Sequence, residues 1–169
     1  MEEEKEEGIS ENTTDLSRNT SKEQHLVREF AYFDASSKFQ NKGKGNGNYQ
    51  IGGFFEHNGV SFTKRVQAKS TFNAEFLALL ELLDRVHTLP KIPTQLLIRG
   101  DNYQVIAEMK GEKIPESKRS PKKPGYFTKI ANKKIRNLKK KGVSKVQFEW
   151  RKREKNKRAD QISRGKHRK

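Results

Sequence analysis

The chain has no cysteine, one tryptophan and five prolines, and only 31% of its 169 residues are hydrophobic. Without cysteine there is no disulfide framework, no thiol nucleophile and no Cys-ligated zinc or iron–sulfur centre. No apolar run approaches the ~18 residues that a membrane span needs. The opening Met1-Glu2-Glu3-Glu4-Lys5 is the wrong chemistry for a secretory signal, so a soluble, cytoplasmic protein is expected. Negative charge is also scarce: 21 acids stand against 37 Lys and Arg, a formal net charge of +16. A surplus of that size repels itself unless a polyanion neutralises it, which makes nucleic acid the expected partner. No obligate protein partner is evident, and a monomer is expected.

The charge is unevenly spread. Residues 1–31 hold nine acids and four bases, whereas residues 110–169 hold 24 bases and five acids. The first 28 residues have few apolar side chains and no periodicity, which reads as a disordered acidic tail. A folded domain is expected over 29–165, followed by a short basic tail at 166–169.

Within that domain, residues 29–34 form a short alternating run, read as a strand, before a polar Gly/Lys/Asn loop at 41–48. Residues 49–56 and 60–67 are aromatic and β-branched runs joined through His57-Asn58-Gly59, a strong hairpin signal. Apolar residues at 72, 76, 79, 80, 83 and 86 mark a helical stripe that Pro90 and Pro93 end. Residues 95–98 read as a central strand buried on both faces. Helices are expected at 103–109, 126–141 and 156–163 and a fifth strand at 143–150, with a basic, proline-containing loop at 111–124. The order β-β-β-α-β-α-α-β-α predicts an α/β fold: a mixed five-stranded sheet, three antiparallel strands then parallel βα units, flanked by helices.

On such a sheet, ligands gather beyond the carboxyl ends of the parallel strands. Asp34 and Asp101 each follow an apolar run, so the two carboxylates face each other if their strands are parallel neighbours. Taken alone, either is more simply a turn or cap residue. Glu75 lies within the apolar stripe of its helix, where a carboxylate must be paired or bind a cation, although a first-turn acid favoured by the helix dipole is the structural alternative. Asp160 sits among cations at the start of the last helix, where a surface ion pair with Arg158 or Arg164 is the plain alternative. Four carboxylates gathered in one cleft repel one another unless divalent metal holds them together. Oxygen-only ligands favour Mg²⁺ or Mn²⁺ over zinc.

The segments Tyr32-Phe33-Asp34-Ala35-Ser36, Asn73-Ala74-Glu75-Phe76-Leu77-Ala78-Leu79, Arg99-Gly100-Asp101-Asn102 and Arg153-Glu154-Lys155-Asn156-Lys157-Arg158-Ala159-Asp160 resemble, in order and spacing, the catalytic motifs of type 1 ribonucleases H. The match runs from about residue 29 to residue 165. The resemblance implies a ribonuclease H-like fold and an endoribonuclease that hydrolyses the RNA strand of RNA/DNA hybrids, leaving 5′-phosphate and 3′-hydroxyl ends. It implies two Mg²⁺ ions, with Mn²⁺ an alternative: one held by Asp34 and Asp160, the other by Asp34, Glu75 and Asp101. Ser36, Thr71, Asn73, Asn102, Arg153 and Asn156, which flank those acids, are the corresponding candidate nucleic-acid contacts.

Two departures from the family pattern stand out. Where many members carry Asn-Asn or Asn-Gln to read the hybrid's minor groove, this chain has Thr71-Phe72. Where many carry a histidine before the last acid, it has Arg151-Lys152-Arg153-Glu154-Lys155, so it resembles the branch lacking the histidine loop. His25, His57, His87 and His167 therefore receive no catalytic role. Lys133, Lys134, Lys139, Lys140 and Lys141, with Lys118, Arg119, Lys122 and Lys123 in the preceding loop, are expected to grip duplex phosphates. Trp150, which ends the fifth strand, is expected in the core, with a base-stacking platform as the alternative. The alternative function is a catalytically weak nucleic-acid-binding adaptor on the same fold.

Overall fold

The computed structural model describes residues 27–37, 47–112, 124–152, 155 and 157–164. The acidic tail through residue 26, much of the loops at 41–48 and 111–124, and the basic tail at 166–169 lie outside the described residues. The elements are β1 (Arg28–Ser36), β2 (Gly47–Phe55), β3 (Val60–Ala68), α1 (Thr71–Arg85), a 3-10 turn (Val86–Thr88), β4 (Gln95–Gly100), α2 (Tyr103–Lys110), α3 (Pro124–Lys140), β5 (Lys145–Trp150) and α4 (Lys157–Ser163). They form one five-stranded sheet in the order β3-β2-β1-β4-β5. β1, β2 and β3 are antiparallel neighbours, and β4 and β5 continue the sheet in parallel from β1. This is the expected mixed sheet. Element ends differ from the sequence reading by a few residues; β5 starts at Lys145 because the chain first turns through Gly142, whose φ is 110°.

Alternation along β1 sorts its side chains between two layers. Ala31 and Phe33 join the main core with Phe55, Phe76, Leu79, Leu83, Leu96, Ile98 and Ile106, beneath α1, α2 and α3. Tyr32 points the other way and packs with Phe54, Ala159 and Ile162, where α4 lies across β1, β2 and β3. Gly52 allows that close approach, because a Cβ there would come within 2.8 Å of the Ser163 backbone.

One expectation needs correction. β4 is central but is not buried on both faces: Leu96, Ile98 and Gly100 are buried, whereas Gln95, Leu97 and Arg99 are only half-buried. The short α4 packs on β1 to β3 and does not extend over β4. Arg99 instead lies over the rings of Phe30 and Tyr32 and pairs with Glu149 of β5.

A candidate metal centre at the ends of β1 and β4

The parallel pairing of β1 with β4 runs from Arg28↔Gln95 to Tyr32↔Arg99. Asp34 and Asp101 each stand two residues beyond that last pair, at the carboxyl ends of neighbouring parallel strands. Phe33 fills the space beside Gly100, where an added Cβ would lie 2.7 Å from the ring. The residues immediately before the two acids are thus packed together.

Glu75 arrives from α1. Ser70 caps that helix, its Oγ accepting the Asn73 N–H at 3.1 Å, and Glu75 is the fifth residue of the helix, past the first turn. It is 2% exposed, so the helix-dipole alternative does not account for it. Ligand oxygens of Asp34, Glu75 and Asp101 all lie within 4.8 Å of one another. Asp34 is fully buried, and neither of its oxygens, nor Oε1 of Glu75, has a hydrogen-bond partner of good geometry among the described residues.

The electrostatics follow from this crowding. Burial, foremost, pushes the Asp34 carboxyl up to about 7, with Asp101 and Asp160 adding to the rise and the contact with Glu75 opposing it. Glu75 is raised well above the usual carboxylate range, first by burial and then by Asp34 and Asp101. Buried carboxyls such as Asp34 and Glu75, packed side by side with oxygens that no donor meets, form a poor structural core and a good cation site. The donor set is all oxygen, which suits a hard divalent ion. Asp160 of α4 approaches Asp34 and also pairs with Arg164 across one helical turn, Nε to Oδ1 at 3.3 Å. The ion-pair reading of Asp160 therefore holds, and its carboxyl also comes within reach of Asp34, while the group whose ligand oxygens lie within 4.8 Å of one another is Asp34, Glu75 and Asp101.

The remaining candidates divide. Thr71 is exposed and Ser36 is buried near the end of β1. Asn73 is 7% exposed, with its Oδ1 buried and without a hydrogen-bond partner among the described residues. Phe72 is likewise buried, in the core. Asn102 is occupied as the N-cap of α2, its Oδ1 accepting the Val105 N–H at 3.1 Å. Lys133 and Lys140 are exposed on α3, whereas Lys134 is drawn back to Asp84 of α1, Nζ to Oδ1 at 2.7 Å. Lys118, Arg119, Lys122, Lys123, Arg153 and Asn156 lie outside the residues whose side chains are described. Trp150 corrects an expectation: it is 42% exposed, because the strand ends there at the rim of the sheet. The sequence reading gave no role to Arg99, whose guanidinium links Tyr32 and Glu149; a cation inside an otherwise apolar strand was the available signal.

Fold and acids together define a type 1 ribonuclease H-like α/β protein. The family model described as reverse transcriptase-like matches residues 54–165, and the chain belongs to that family. Among solved structures, it is similar to RNase H1 of the halophilic archaeon Halobacterium salinarum, with 19% identity, a TM-score of 0.61, and 82% of this chain and 96% of that one covered. The N-terminal RNase H domain of a Mycobacterium tuberculosis protein gives 19% identity and a TM-score of 0.60 over 83% of this chain and 93% of that one. LC11-RNase H1, isolated from compost by a metagenomic approach and solved in complex with an RNA/DNA hybrid, gives 21% identity and a TM-score of 0.58 over 79% and 92%. No curated protein sequence matches the chain. No helix among the described residues is long and apolar enough to cross a membrane.

Proposed function

We propose that the protein is a metal-dependent endoribonuclease that hydrolyses the RNA strand of RNA/DNA hybrids, with residues 29–165 as its catalytic domain. The observation that carries the proposal is the buried cluster of Asp34, Glu75 and Asp101, whose ligand oxygens lie within 4.8 Å of one another at the carboxyl ends of two parallel strands. The complex of LC11-RNase H1 with a hybrid supports the choice of substrate. Asp34, Glu75 and Asp101 hold one Mg²⁺, and Asp34 with Asp160 a second; Mn²⁺ suits the same ligands.

Bound divalent ions would supply Lewis acidity toward an attacking water and a departing 3′ oxygen; hydrolysis of that P–O bond gives a 5′ phosphate and a 3′ hydroxyl. The chain's own residues do the placing. Asp34 stands in a strand, Glu75 in a helix and Asp101 between β4 and a capped helix, so the three carboxylates come from separately held backbones. Exposed cations of α3, Lys133 and Lys140 among them, bind the duplex through its phosphates. With Phe72 in the core and Asn73 largely buried, Thr71 is the exposed polar side chain at the start of α1 that can meet a minor groove.

The test is cleavage of an end-labelled RNA/DNA hybrid in Mg²⁺, beside single-stranded RNA, double-stranded RNA and double-stranded DNA, with Asp101→Asn as control. Cleavage of hybrid alone, abolished by the substitution, is the expected result. Tight hybrid binding without turnover in Mg²⁺ or Mn²⁺ would replace this reading with that of a binding adaptor.

A further inference from the structure

Asp101 is the cluster acid with the least regular backbone around it. Asp34 belongs to a strand and Glu75 to a helix, but Asp101 lies in the turn between β4 and α2. Three successive carbonyls in that turn are nevertheless held. The Gly100 carbonyl accepts the Arg151 N–H at 2.9 Å and the Asn102 carbonyl accepts the Ile106 N–H at 3.2 Å. Between them, the Asp101 carbonyl accepts the indole Nε1–H of Trp150 at 3.1 Å. Tyr103, the first residue of α2, meets the indole edge-on, with ring centroids 6.2 Å apart and planes at 85°.

This arrangement is a poor bargain for folding alone. Trp150 and Tyr103 are each 42% exposed, and at such a rim water can satisfy a carbonyl nearly as well as an indole does. What the indole adds is position. A strand ladder fixes the backbone of Asp34 and a helix that of Glu75, so the backbone of the acid on the turn is the one that a side-chain contact from β5 can add most to holding. Groups that orient metal ligands from behind commonly govern metal affinity in this way.

We propose that Trp150 is a positioning residue for the metal centre: its indole N–H, backed by Tyr103, holds the Asp101 backbone so that the carboxylate stays against Asp34 and Glu75. This inference rests on the metal-site reading above.

The test is Trp150→Phe, which keeps a ring for Tyr103 and deletes the N–H. Mn²⁺ affinity is measured by electron paramagnetic resonance without nucleic acid, and kcat and KM are measured on hybrid. Expected are a roughly tenfold loss of Mn²⁺ affinity, a similar fall in kcat at limiting Mn²⁺ that excess Mn²⁺ restores, and KM for hybrid within about twofold of the parent. A merely structural role does not predict metal rescue. Parent-like Mn²⁺ affinity in Trp150→Phe overturns the proposal, as does a raised KM with kcat intact, which would make Trp150 a substrate contact. If the parent itself binds no Mn²⁺, the metal-site reading falls first, so the two failures are distinguishable. Should Trp150→Phe not fold, Tyr103→Leu leaves the indole but removes its backing. A loss of Mn²⁺ affinity of about threefold supports the proposal there, and none overturns it.

Discussion

β1 carries two fully buried carboxylates five residues apart, Glu29 and Asp34, and they are treated in opposite ways. Glu29 accepts the backbone N–H groups of Phe30, His57 and Asn58 and the side-chain amide of Asn58, all at 2.7–2.8 Å. Asn58 then accepts the Lys91 N–H and donates to the Lys91 carbonyl. Glu29 thereby pins the β2–β3 hairpin turn to the segment before β4. Among the described residues Asp34 meets no donor of comparable geometry; its side-chain neighbours are other acids. Burial alone therefore does not mark a functional acid. Burial without donors, beside like charge, does.

The largest test of this contrast is catalytic. Asp34→Asn is expected to reduce hybrid cleavage on the order of 10³-fold or more, because it removes the carboxylate shared by both proposed metal positions. Glu29→Gln, assayed where it remains folded, should keep cleavage within a few-fold. Comparable losses in the two variants would erase the distinction.

The same pair should invert when stability is measured instead. Glu29→Gln places an amide NH₂ against backbone donors and should destabilise by about 2–4 kcal/mol in urea denaturation. Asp34→Asn should stabilise the metal-free protein near neutral pH, and the sign follows from linkage. The Asp34 carboxyl is raised from 3.8 to about 7, so between those values the folded state retains a proton that the unfolded chain has released. Stability from this group is fully present below the unfolded value and is lost as pH rises through the folded one. Metal-free parent should lose up to about 3–4 kcal/mol relative to Asp34→Asn between pH 4 and pH 8. Saturating Mg²⁺ should recover it. A difference independent of pH would mean that Asp34 is not held protonated by its surroundings.

The sequence was informative wherever periodicity or strand ends carried the signal. Glu75 could be singled out because the apolar stripe of α1 passes through it, and Asp34 and Asp101 because each follows an apolar run. The catalytic assignment proposed for the four acids rests on resemblance, since no single spacing distinguishes a metal cluster from caps and ion pairs. What stayed illegible was set by tertiary neighbours. Nothing local tells that Glu29 meets the turn at residues 57–58, that Lys134 reaches Asp84, or that Asn73 is largely buried while Trp150 stays at the rim. Leu97 read as buried because the strand is apolar, yet the brevity of α4 leaves that face half-covered.

Smaller effects sharpen the comparison at the other side of Asp34. Gly52 pairs with Asp34 across β1 and β2 and lies against the backbone of α4, 2.8 Å from the Ser163 Cα and N for an added Cβ. Gly52→Ala must push β2 and α4 apart, and α4 carries Asp160. A fall in kcat of about tenfold is expected, with a stability loss of about 1–2 kcal/mol. Undiminished kcat in a destabilised Gly52→Ala protein would remove Asp160 from the proposed machinery and leave a three-acid site.

The smallest effects separate two lysines one residue apart on α3. Lys134 is 29% exposed at its side chain and bound to Asp84, itself 54% exposed, so Lys134→Ala should cost less than about 1 kcal/mol of stability. Because its ammonium is already committed, hybrid binding should keep the parent's dependence on salt. Lys133 is exposed, and Lys133→Ala should leave stability unchanged while lowering the slope of log affinity against log salt concentration by about one. Fluorescence anisotropy of labelled hybrid across a salt series gives both slopes. If Lys134→Ala shifts the slope as much as Lys133→Ala does, the Lys134–Asp84 pair yields to phosphate on binding, and the basic face of α3 is wider than its exposed lysines.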